Sequence, residues 1–146
     1  MAFIPLYDSN PLRRIGHPWV AWGLIAANVA VYFLVETGGY NGDAYEASVY
    51  AWGLIPAAFN GVMDQPTLPF VGESATLLTY AFLHADFWHL AGNMVFLWVL
   101  GDNVEDALGH FRYLIFYALC AIAAGYAFVL SAPASEAPLI GASGAV

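Results

Sequence analysis

The stretch IGHPWVAWGLIAANVAVYFLV, Ile15 to Val35, holds no Asp, Glu, Lys or Arg and is bounded by Arg14 and Glu36. About 20 predominantly apolar residues are enough for a helix to cross the roughly 30 Å hydrocarbon core of a bilayer, and a helix satisfies its own backbone there. The stretch therefore reads as a membrane span. Arg13 and Arg14 ahead of it give it the superficial look of a secretory leader. The apolar run from Trp19 to Val35 is too long for that, and no small-residue cleavage site follows, so the span is expected to be retained. The rest of the chain agrees: 61% of its 146 residues are hydrophobic and 10% are charged, against about 25% charged in soluble domains. The class that follows is an all-α, polytopic membrane helical bundle.

At about 20 residues per span, the length allows three full spans with their loops and the start of a fourth. The connection from Glu36 to Ser74 carries Glu36, Asp43, Glu46, Asp64 and Glu73, no Lys or Arg, and a series of Gly and Pro residues. It is not one regular helix. Within it, Tyr50 to Phe59 is aromatic and apolar but too short to span, and is expected at the membrane interface. A second apolar stretch runs from Leu77 to Leu100, with the helix proper from about Phe87. Gly101 to Gly109 reads as a polar turn. Tyr113 to Leu130 is the third span, with the small residues Ala121 and Gly125 on a close-packing face. Ser131 to Pro138 is a loop, and Leu139 opens a fourth helix that the sequence does not complete. Cys120 lies alone in an apolar run, which supports no disulfide, metal cluster or thiol chemistry.

Net charge is −8, but the acids sit between spans, where they are solvated loop residues rather than a nucleic-acid or cation surface. The basic residues fix an orientation, because Lys and Arg near span ends stay on the cytoplasmic side. Arg13 and Arg14 place the N-terminus inside, and Arg112 places the second turn inside. Residues 1–16 are then a cytoplasmic segment and 17–146 a multi-pass domain of the cell membrane, incomplete at its C-terminal end. The loop ahead of Ser143 falls outside, at the same level as His84 and His89.

Those residues carry the chemistry. His89 and Asn93 are four apart, so a helix projects them from one face, one turn from each other. Polar groups in hydrocarbon need partners or a wet cavity. They serve either as hydrogen-bonding glue between helices or as part of a site. Ser143 stands between Gly141-Ala142 and Gly144. It lies either on a small-residue packing face or at a helix N-terminus, whose free N–H groups and dipole would stabilise an oxyanion. Nothing in the residues calls for a cofactor or a metal, and no oligomeric state follows from them.

The ordered set of Gly141-Ala142-Ser143-Gly144, the His84, His89, Asn93 spacing, the turn Leu100 to Asp106 and the stretch Gly53 to Ala57 resembles the rhomboid intramembrane serine proteases of bacterial type. The resemblance covers about residue 17 to the end. It implies a Ser–His dyad that cleaves transmembrane protein substrates within the lipid bilayer. Ser143 matches the nucleophile, His89 and Asn93 match residues that hold the oxyanion with the serine N–H, and His84 matches a supporting histidine. Where family members often carry an aromatic–arginine pair in the outer loop, Ala75-Thr76 stands here. The family's base lies on a later helix, and no histidine follows Ser143 in this sequence. His110 is expected at the opposite membrane face, an interfacial residue like His17. The chain as given is therefore expected to be inactive. Two other readings use the same residues: a non-catalytic rhomboid-like protein that binds membrane clients, and a transporter fragment, whose polar groups would sit nearer the midplane.

Overall fold

The structure, a computed structural model, describes residues 11–36, 42–64 and 72–146. Residues 1–10 of the expected cytoplasmic segment, and parts of the long acidic connection, lie outside the described residues. All the regular elements described are helical. Helix α1, Trp19–Val31, continues as a π-helical turn, Tyr32–Glu36. Then come α2, Gly42–Trp52, and α3, Pro56–Phe59. A run of short turns includes α4, Thr76–Thr79, and a 3₁₀ turn, Tyr80–Phe82. The two long helices are α5, Phe87–Leu108, and α6, His110–Ser131.

The periodicity of α6 explains its place. Tyr113, Tyr117, Ala121, Gly125 and Val129 are buried, one every four residues, while Phe111, Leu114, Ile115, Phe116, Leu119 and Leu130 are exposed. The helix is apolar all round, with small residues on its packed stripe. It is the one helix among the described residues that is both long and apolar enough to cross a membrane, and Trp19–Val35 is a shorter apolar helix. At Gly125 a Cβ would come within 2.9 Å of Leu54 and 3.1 Å of Leu77. The missing side chain lets Leu54 and Leu77 close onto α6.

Gly101 to Gly109 is helical rather than a turn: α5 runs through to Leu108, and the chain reverses at Gly109 alone, with φ +80°. The reason lies in the first turns of α1. Pro18 supplies no side-chain cap, so the first N–H groups of α1 need acceptors from elsewhere. Glu105, fully buried, supplies them: Val20 N–H donates to Oε1 at 3.0 Å and Ala21 N–H to Oε2 at 2.7 Å. Asp106 accepts from the N–H groups of Arg13, Arg14 and Ile15. The carboxylates that made this segment look like a solvated turn thus cap α1 and tie down the residues before it. Gly101 allows the contact, since a Cβ there would lie 3.3 Å from Ala21 Cβ and 2.8 Å from the Tyr113 hydroxyl.

Candidate active site

Helix α5 begins with a local signal that the sequence carries openly. Asp86, in extended conformation, accepts the His89 N–H at 2.9 Å and caps the helix. That fixes His89 in the first turn. Asn93 follows one turn later, and its Nδ2 donates to the His89 carbonyl at 2.9 Å. One of its two amide hydrogens is used in this way, and the second points the group's remaining donor capacity elsewhere.

His84 lies in the connection ahead of α5, fully buried, with its ring edge-on to His89 at a centroid distance of 5.2 Å. Burial first, and then the nearby His89, lower its pKa to about 4, against a backbone hydrogen bond at Phe82 that raises it. His84 is thus a neutral ring at neutral pH. His89 Nδ1 accepts the Ala85 N–H at 3.3 Å. With that lone pair engaged, the neutral imidazole carries its proton on Nε2, an assignment that follows from the hydrogen bond. Nε2 faces the serine segment: a Cβ placed on Gly141 would lie 2.7 Å from it.

Ser143 is exposed and sits in a 3₁₀ turn, Ala142–Gly144. The fourth helix expected from Leu139 is present only as this turn and one i→i+4 bond, Val146 N–H to the Ala142 carbonyl at 3.1 Å. One turn offers too few hydrogen bonds to offset the cost of helix nucleation. Gly141 leads into it at φ +114°, ψ 149°, a conformation open essentially to glycine alone.

Tyr80 holds this segment from beneath, a role that no motif announced. Its carbonyl accepts the Gly141 N–H at 2.9 Å. Its hydroxyl donates to the Ala121 carbonyl at 2.8 Å and lies where a Cβ on Gly144 would meet it, also at 2.8 Å. In the sequence Tyr80 is one apolar residue among many. The second support is the connection between α2 and α4. Leu54 and Leu139 exchange antiparallel backbone bonds of 3.1 and 2.8 Å, Ala57 N–H donates to the Ser135 carbonyl, and Asn60 Nδ2 to the Pro133 carbonyl. Leu54, Ile55 and Ala58 are fully buried. Through these residues the stretch packs into the protein, and backbone pairing anchors the loop.

These constraints bring His89, Asn93 and Ser143 to one cavity of about 430 Å³, which Trp88, Gly92, Phe96 and Val146 complete. His84 sits against His89, outside that lining. Gly141 lies under the His89 ring, and Gly144 packs on Ala124 and Tyr80. His110 is remote. It pairs through Nδ1 with Glu105 Oε1 at 2.5 Å, some 24 Å along α5 from His89 at 1.5 Å per residue. Among the described residues, no group of three or more His, Cys, Asp or Glu could hold a metal ion. The cavity can offer hydrogen-bond donors, Asn93 Nδ2 and His89 Nε2, beside a serine hydroxyl.

Comparison with known proteins follows the same residues. The family model of the rhomboid domain matches residues 71–146. The chain is 33% identical over 131 residues to the rhomboid protease GluP of Bacillus subtilis, covering 90% of this chain. It is 37% identical over 82 residues to the mitochondrial Rhomboid protein 1 of Saccharomyces cerevisiae, covering 53% of this chain. In each case it spans 23% of the relative's length. No solved structure gives a significant match. The family model takes in half of the chain, including His84, His89, Asn93 and Ser143, and the chain belongs to the rhomboid family.

Proposed function

We propose that these residues are part of an intramembrane serine endopeptidase that cleaves transmembrane protein substrates. The Ser143 hydroxyl attacks the scissile carbonyl, and its proton passes to a histidine base. By resemblance to the family, that base belongs to a later helix packed against the serine segment. The carbonyl oxygen becomes an oxyanion, held by the Ser143 N–H, the second Nδ2 hydrogen of Asn93 and the Nε2 hydrogen of His89. The base returns the proton to the departing amine, and the acyl-serine that remains is hydrolysed by water from the cavity. The tautomer argued above makes His89 a donor rather than the base, and neutral His84 backs its ring.

The observation that carries this reading is the convergence of His89, Asn93 and Ser143 on one cavity, in a chain similar to a protein named as a rhomboid protease. A multi-pass arrangement completes it. In it α1, α5 and α6 are three spans in the cell membrane, the N-terminus is cytoplasmic, and the site lies in the outer leaflet.

The test is cleavage of a transmembrane reporter by the complete gene product in membranes. Ser143→Ala abolishes it, and Asn93→Ala lowers it by about 10²–10³, the usual effect of removing one oxyanion donor. Cleavage that survives Ser143→Ala rules out Ser143 as the nucleophile; a parent protein that binds the reporter without cleaving it favours the client-binding role.

A further inference from the structure

A second cavity, of about 310 Å³, opens between the start of α1 and the far end of α5. Its wall includes His17, Trp22, Ile25, Trp98 and Asp102. Asp102 lies 13 residues beyond His89, about 20 Å along the helix axis. The cavity therefore faces the leaflet opposite the serine.

Its chemistry is one-sided. Asp102 is the one carboxylate of the lining, and no Lys or Arg contributes to it. Two indoles complete the wall, Trp22 at 39% and Trp98 at 60% exposure. The His17, Trp19 and Trp22 rings brace one another at centroid distances of 5.2 to 5.8 Å, so the Trp22 face is held in place. The π faces of indoles attract cations, and a carboxylate adds to that attraction while it repels an anion. Arg13 and Arg14 do not reverse the sign. They stand outside the lining, their backbone N–H groups bound to Asp106 and the Arg14 guanidinium to the Ala107 carbonyl. Leu12, Ile25 and Val99 extend the cavity as an apolar wall. A soluble amine has no use for that wall, but a lipid acyl chain does.

We propose that this cavity binds the ammonium headgroup of a zwitterionic phospholipid, with Trp22, Trp98 and Asp102 around the cation and the acyl chains along α1 and α5. The inference rests on reading α1 and α5 as spans and is independent of proteolysis.

The 146-residue chain, purified in detergent, is mixed with phospholipids of identical acyl chains bearing ethanolamine, choline or glycerol headgroups. Bound lipid is counted by native mass spectrometry. At least one ammonium lipid should be retained over the glycerol lipid. The preference should fall roughly threefold to tenfold in Asp102→Asn and in Trp98→Leu, the range of a single cation–π or surface charge contact. Leu130→Ala, an exposed change on α6, should leave it intact. Helix content by circular dichroism confirms that each variant is folded. Equal or greater retention of the glycerol lipid overturns the proposal, as does a preference that persists in both Asp102→Asn and Trp98→Leu.

Discussion

Gly141→Ala probes the junction of the serine segment with the histidine helix, and its cost can be worked out from three effects. Gly141 holds φ +114°, ψ 149°, a region that costs a residue with a Cβ about 1–3 kcal/mol. The new methyl would sit 2.7 Å from His89 Cε1 and Nε2, so the ring must move, at about 1–3 kcal/mol for overpacking. Against these, alanine restricts the unfolded chain and returns about 0.4–1 kcal/mol. The net loss is about 1–6 kcal/mol. Gly92→Ala is the matched control: this glycine is in the second turn of α5, and a Cβ there meets nothing within 4 Å. That change should stabilise by about 0.5–1 kcal/mol through helix propensity alone. Both are measured by dodecyl sulfate titration of the chain in non-ionic micelles, followed by tryptophan fluorescence and circular dichroism. A Gly141→Ala protein within about 0.5 kcal/mol of the parent would refute the close approach of Gly141 to His89.

Glu105→Ala should destabilise by about 2–6 kcal/mol in the same titration, because it leaves two N–H groups of α1 without their acceptor at about 1–3 kcal/mol each; a change below about 1 kcal/mol would contradict the capping role. Acid should weaken the fold through His84. Its folded pKa of about 4 lies below the ordinary histidine value of 6.5, so the unfolded chain binds more protons between the two, and stability is complete above about pH 6.5 and falls toward pH 4. The unfolding midpoint of the parent should therefore drop more steeply over this window than that of His84→Gln, and equal slopes would exclude the effect. For orientation, Glu136→Cys should react with an impermeant thiol reagent in intact cells and Ala107→Cys should not, in a chain with Cys120 replaced; the reverse pattern inverts the topology.

How legible these features were in the sequence follows from the range over which each acts. Helix α6 declares itself through an unbroken apolar composition, and its packed face through Ala121 and Gly125. The start of α5 is equally local, since Asp86 caps the turn that carries His89. His84, His89, Asn93 and Ser143 were legible as a spaced set. Other features depend on partners about 40 to 90 residues away. Glu105 and Asp106 look like solvated turn residues until the N–H groups of α1 and its approach are known. Leu54 and Leu139 pair only once the loops meet. Tyr80 supports the serine turn through its carbonyl and hydroxyl, which a hydrophobic pattern does not register. His110 reads as interfacial, yet its ring pairs with buried Glu105.

The most direct measurement is labelling by a serine-directed fluorophosphonate, with the complete gene product and residues 1–146 compared in the same membrane mimic and Ser143→Ala as the blank for each. An unassisted serine is a weak nucleophile at neutral pH, and among the described residues His89 stands beside Ser143 as a donor rather than a base. The account predicts rapid, Ser143-dependent labelling of the complete gene product and none of residues 1–146. Labelling of the gene product that survives Ser143→Ala would contradict the nucleophile, and equal Ser143-dependent labelling of both would show that a base within residues 1–146 activates the serine.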